Sequence, residues 1–166
     1  MSRTLGSNNG TKSSAVGEFA KTDDFQELFA SEMVDLLRLA FLLTADAEKA
    51  QHCVILTLHE CLATVGVFKA WLPVLTRNAL IRNGIRLVTG IPVCSLGKSR
   101  RPESLPAIHD SEYVISPTDD SAGLLQLSDF DRLVYVICVL ERYSTRDCAA
   151  LLGKSRPEVR DALNRI

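Results

Sequence analysis

The stretch from Ser144 to Arg165 constrains the chain most. It reads Ser-Thr-Arg-Asp-Cys-Ala-Ala-Leu-Leu-Gly-Lys-Ser-Arg-Pro-Glu-Val-Arg-Asp-Ala-Leu-Asn-Arg, two short helical patterns with a tight break between them. Ser144 can cap the first helix by accepting from a free N–H of its opening turn. Ala149 and Leu152 give that helix an apolar face, and Gly153 permits the left-handed residue that ends it. Ser155 can cap the second helix, and Pro157 falls in its first turn, where a missing N–H costs nothing. Val159 and Leu163, four apart, point back to a core, while Arg156, Arg160 and Asn164 repeat on another face. This is a helix-turn-helix pattern, and a short helix with Arg and Asn on one side suits a major groove. The plainer alternative is an ordinary helical hairpin with a solvated basic face.

The remainder of the sequence predicts an all-α fold: two small helical domains joined by a flexible linker. Residues 1–22, rich in Ser, Gly, Asn and Thr, read as a disordered tail. A first helical domain is expected over residues 23–88. Its first helix starts at Asp23 or Asp24 with a stripe of Phe25, Leu28, Phe29, Met33, Leu36, Leu37, Ala40 and Leu43. A turn and cap follow at Thr44–Asp46, then a second helix over about Ala47–Ala63, and a third over about Trp71–Val88. Residues 89–123 gather prolines, Ser and Asp without periodicity and read as the linker. Residues 124–166 form the second domain, with one helix from Leu124 to Leu140 leading into the hairpin.

Charge is sorted along this map. The chain has 19 Lys and Arg against 20 Asp and Glu, a net charge of -1, so any attraction to nucleic acid must be local. No acid occurs between Glu60 and Glu103, an interval that holds Lys69, Arg77, Arg82, Arg86, Lys98, Arg100 and Arg101. Asn78, Arg82 and Arg86 fall on one face of the third helix, whereas the first helix is acidic. A basic helix free of acids suits a nucleic-acid backbone. The competing reading is a solvated basic face paired with acidic neighbours.

Three segments carry a family resemblance. Leu36-Leu-Arg-Leu-Ala-Phe-Leu-Leu-Thr-Ala-Asp-Ala-Glu-Lys-Ala50 resembles the opening of the second conserved region of a bacterial RNA polymerase sigma factor of the small extracytoplasmic-function type. Phe68-Lys-Ala-Trp-Leu-Pro-Val-Leu-Thr-Arg-Asn-Ala-Leu-Ile-Arg82 resembles the later part of that region. Leu127 to Ser144 resembles the fourth region, and the helix-turn-helix follows it. The resemblance spans about Asp24–Val88 and Leu124–Ile166 in the family's order. It implies promoter DNA and core RNA polymerase as partners, an anti-sigma factor as a further one, and a cytoplasmic location. It places Arg77, Asn78, Arg82 and Arg86 at the downstream promoter element and Arg156, Arg160 and Asn164 in the major groove of the upstream one. Lys154 and Arg165 then hold phosphates, and Trp71 packs the first domain.

Two departures bear on this. The run Gln51-His-Cys-Val-Ile-Leu-Thr-Leu-His-Glu60 is largely apolar where the family docks on polymerase through polar groups, so docking is expected to be weak or atypical. Apolar groups around more than one face of that helix also suggest a partner surface, which would fit a protein-interaction module that kept the fold. Glu158 and Asp161 would repel phosphates if they faced DNA. A helix-turn-helix regulator that binds DNA without polymerase is the alternative.

Other chemistry finds little support. His52, Cys53, His59 and Cys61 lack the i, i+4 spacing that chelates on one helix, so no metal is expected. Ser144, Asp147 and Cys148 resemble no catalytic constellation. Gly84, Gly90 and Gly97 are isolated and form no phosphate loop, so neither a cofactor nor enzyme activity is expected. The five cysteines, with no CxxC spacing, read as reduced thiols. No membrane span or signal peptide is predicted.

Overall fold

A computed structural model describes residues 18–90 and 123–166. The expected disorder up to residue 17, nearly all of the expected linker, and Cys94 lie outside the described residues. Within them the regular structure is helical, apart from one isolated antiparallel bridge between Phe19 and Phe68. That bridge corrects the tail boundary. The Ala20 N–H donates to the Val67 carbonyl and the Lys69 N–H to the Glu18 carbonyl, both at 2.8 Å, so residues 18–21 are bound structure.

Helix α1 spans Thr22–Thr44. It begins slightly earlier than its acids suggested, because Asp24 turns back to accept the Lys21 N–H at 2.8 Å rather than serving as the cap residue. Its buried stripe, Phe25, Phe29, Leu36, Leu37, Leu39, Ala40, Leu42 and Leu43, follows the apolar period of the sequence. Ala45 takes a left-handed conformation to end it, and Asp46 caps α2 (Ala47–Leu62) by accepting from the Lys49 N–H.

Helix α2 buries one side of its apolar surface. Cys53, Val54 and Cys61 are buried and Leu58 packs against the core, with Leu62 the one large apolar residue of the helix left exposed. Ile55 and Leu56 are half-buried and stand outside that core, so with Leu62 they keep part of the expected apolar surface accessible. Burial also pushes the Cys53 thiol up to about 12, and the group donates to the Leu80 carbonyl at 3.4 Å.

A 3-10 turn, Lys69–Trp71, leads into α3 (Leu72–Thr89), with Pro73 near its start. Gly84 lets α3 approach α1: a Cβ there would lie 2.9 Å from Leu43 Cδ1. Gly90, with φ 67°, closes the helix.

The expected single helix over Leu124–Leu140 is broken. A short turn at residues 123–125 precedes α4 (Asp129–Tyr135), because Ser128 accepts the Asp131 N–H and starts a new helix. The helix then widens into a π turn at Val136–Leu140. Arg132 of α4 is only 3% exposed. Its Nε donates to the Leu43 carbonyl at 3.4 Å and its Nη2 to Asp129 at 2.6 Å, which ties α4 to the end of α1. Helices α5 (Thr145–Leu152) and α6 (Arg156–Arg165) follow, and α6 packs back on both α4 and α5. Leu133, Val134, Val136 and Ile137 join the same hydrophobic core as α1–α3. No helix among the described residues is long and apolar enough to cross a membrane.

Candidate nucleic-acid interface

The α5–α6 pair is built from local signals. Ser144 accepts the Asp147 N–H at 3.1 Å, Gly153 ends α5 with φ 63°, and Ser155 accepts the Glu158 N–H at 3.4 Å. Glu158 returns the bond by accepting from the Ser155 N–H and hydroxyl at 2.8 and 2.7 Å, which completes a capping box. These bonds, the backbone N–H first, hold the Glu158 carboxyl below the usual carboxylate range. The carboxylate sits at the positive end of its own helix, where the helix dipole and the Ser155 N–H favour its charge, and its side chain stays half exposed. Asp161 is exposed.

One side of α6 is fixed and the other is open. Val159 and Ala162 are fully buried, and Leu163 packs against the core. Arg156, Arg160 and Asn164 are exposed, and no hydrogen bond or ion pair to another described residue holds them. The two outer members of the expected set are less free. The Lys154 ammonium lies 3.8 Å from Glu158 and 5.9 Å from the centre of the Phe130 ring. Arg165 donates to Asp131 of α4 at 2.6 Å, a tie between α6 and α4, while its side chain stays half exposed.

The basic face of α3 is arranged differently. Arg77 makes a two-pronged bond to Glu141, Nε and Nη2 donating at 2.8 and 2.9 Å. Asn78 accepts from the Tyr143 hydroxyl. Arg82 donates to Glu60 at 2.7 Å. Arg86 leans on Asn83 at 3.4 Å, and its Nε is buried without a hydrogen-bond partner among the described residues. Asn83 is fully buried and donates to Thr57 and Glu60, each at 3.2 Å. The acidic-neighbour reading describes Arg77 and Arg82, which pair with Glu141 and Glu60, while Asn78 turns to Tyr143 of the α4–α5 connection and Arg86 stays on Asn83 of its own helix.

Three features went unread in the sequence. Arg142 and Arg146 are exposed and make no hydrogen bond or ion pair among the described residues, adding two more cations near α5. Arg146 was legible, since it lies in the first turn of α5 where its neighbours Cys148 and Ala149 face inward. Arg142, with φ 58°, had no signal, because a left-handed arginine is not announced by its residue type. The third is aromatic. Phe19 stacks on Phe68 at 4.9 Å, and Trp71 meets Phe68 edge-on at 5.3 Å. Trp71 stays 62% exposed, so it does not fill the domain core as expected.

Among the described residues no group of three or more His, Cys, Asp and Glu is placed to hold a metal ion. Compared with known protein families and with curated proteins, the chain matches no family model and has no significant relative.

Proposed function

We propose that the chain is a sigma-like promoter-recognition protein whose two helical modules act with RNA polymerase, and whose α5–α6 pair is a helix-turn-helix that reads DNA. The observation that carries this is the row Arg156, Arg160 and Asn164. These side chains are exposed and without a partner among the described residues, on a helix whose opposite side is held by buried Val159 and Ala162. A rigidly seated helix with open Arg and Asn donors is suited to base edges in a major groove. Arg142, Arg146 and Lys154 supply cations for flanking phosphates. Exposed Trp71, with Phe68 and Phe19 beside it, adds a surface on which an unpaired base can stack, as a protein that handles melted promoter DNA requires.

A second reading has its own support: a DNA-binding regulator without polymerase docking. Both Glu60 oxygens are taken, one by Arg82 and one by Asn83, so one of the few polar groups of α2 is not free for a protein partner. The separating experiment titrates the full chain against core polymerase and promoter-containing DNA, then measures run-off transcription. Transcription that depends on the chain supports the sigma-like reading. Specific DNA binding with no polymerase binding supports the regulator. Absence of DNA binding even at low salt removes both.

A further inference from the structure

Asp161 is exposed on α6 and makes no hydrogen bond or ion pair among the described residues. The positions one turn away explain why. Pro157, four residues before it, has no N–H to offer. Arg165, four residues after it, gives its guanidinium to Asp131 of α4 at 2.6 Å. The i, i+4 ion pair that commonly occupies an acid on a helix surface is therefore not made. Glu158, the other acid of α6, differs, because its carboxylate already accepts from the Ser155 N–H and hydroxyl. Helix geometry then fixes what Asp161 faces. Each residue advances the helix by about 100°. Opposite the fully buried Val159 and Ala162 stand Pro157 and Asn164, with Arg160 and Asp161 on either hand, each about 50° from that line. Arg156 and Arg165 lie about 90° from it, at the sides of the helix. A groove that admits Arg160 must therefore admit Asp161 as well.

From this we infer that Asp161 reads a base and selects cytosine: its carboxylate accepts from the N4 amino group of a cytosine in the base pair next to the one that Arg160 reads. The inference rests on the DNA-binding reading above and names part of the sequence recognised. An ionised carboxylate has only acceptors to offer. In the major groove guanine shows acceptors alone, and thymine an acceptor and a methyl group, so both are refused. Adenine sets an acceptor beside its amino donor, which fits the amide of Asn164 better than a carboxylate. Cytosine presents a donor and no acceptor, the complement of Asp161. The same charge repels phosphates and base acceptors, so it weakens binding wherever no cytosine meets it. Asp161 thus adds specificity by rejection as well as by contact.

The test takes the site that the full chain selects from a randomised DNA pool. Fluorescence anisotropy at fixed salt then compares duplexes that carry each of the four base pairs at each position in turn. Arg160→Ala marks its own position by losing discrimination there. At the neighbouring base pair the unaltered chain is expected to prefer cytosine by about five- to a hundredfold, the range of a good base contact. Asp161→Ala should remove that preference, leave the other positions unchanged and bind random DNA more tightly. Asp161→Asn should turn the preference from cytosine to adenine, because an amide pairs with adenine N6 and N7. A merely structural role for Asp161 would not move that preference. The side chain is exposed, so both variants should keep the circular dichroism spectrum of the unaltered chain. Identical base preferences at every position in the unaltered chain and in folded D161A and D161N would overturn the cytosine contact while leaving the DNA reading intact. Tighter binding of D161A to all duplexes alike, with no preference altered, would reduce Asp161 to phosphate repulsion and overturn the contact too. No DNA bound by the unaltered chain even at low salt would overturn the DNA reading and the contact with it.

Discussion

Helices α3 and α6 carry similar basic rows and use them in opposite ways. On α3, Arg77, Asn78, Arg82 and Arg86 all find partners within the fold. On α6, Arg156, Arg160 and Asn164 find none among the described residues. The difference lies in where acids are available. Arg77 meets an acid 64 residues away and Arg82 one 22 residues away, brought close by helix packing. On α6 the nearby Glu158 is consumed by the helix's own cap and leaves the arginines alone. A row of cations on a helix is therefore an undecided feature until the surrounding helices are in place.

The comparison is broken or sharpened first at Asn83, which stands behind the α3 row. Asn83→Ala removes a fully buried amide that satisfies both Thr57 and Glu60, and it should cost about 1–3 kcal/mol in urea unfolding. An unchanged midpoint would mean the α3 network contributes nothing to stability.

The matching change on α6 should leave folding alone. Arg160→Ala is expected to shift stability by less than about 0.5 kcal/mol, while it removes about 1–3 kcal/mol of discrimination between specific and random DNA. Lys154→Ala should weaken binding to all sequences equally and flatten the salt slope by about one contact. If Arg160→Ala weakens specific and random binding by the same factor, Arg160 holds phosphate and does not read bases.

Next in size is the start of α6. Ser155→Ala should lower stability by about 1 kcal/mol and quicken amide exchange in the first turn of the helix. Slow exchange at the Glu158 amide in that variant would show that packing of Val159 alone holds the turn.

The smallest effect is with acid. Asp24, held low mainly by the Lys69 hydrogen bond, and Glu158, held low mainly by the Ser155 N–H, both have depressed values in the folded chain. What they contribute is present above the ordinary carboxylate range of about 4 and is lost as pH falls through their folded values. Amide chemical shifts of Lys21 and Ser155 should move together with acidification in that window. Shifts that finish at the ordinary carboxylate value would deny the bonds to Lys69 and Ser155 their role.

What could be read before the structure was local, and what could not was distant. Ser144, Gly153, Ser155 and Asp46 act within three or four residues, so the α5–turn–α6 geometry and the α2 start followed from residue type and spacing. The stripe of α1 followed from period alone. Ser128 was also local, yet its cap was hidden by the apolar residues on either side, which imitate one continuous helix. The pairing of Phe19 with Phe68, the exposure of Trp71 and the grip of Glu141 on Arg77 depend on contacts far apart in the chain. No periodicity signals them. For the same reason spacing alone showed the two rows alike, and only the packing distinguishes the partnered row of α3 from the open row of α6.

The central claim is that sequence reading belongs to α6 and not to α3. The most direct measurement is selection of bound DNA from a randomised pool by the full chain, compared with its Arg156→Ala/Arg160→Ala form. The account predicts that the unaltered chain enriches a defined sequence and that the double substitution abolishes the enrichment while the protein stays folded. The same enriched sequence from both proteins, or none from the unaltered chain at any salt concentration, would contradict it.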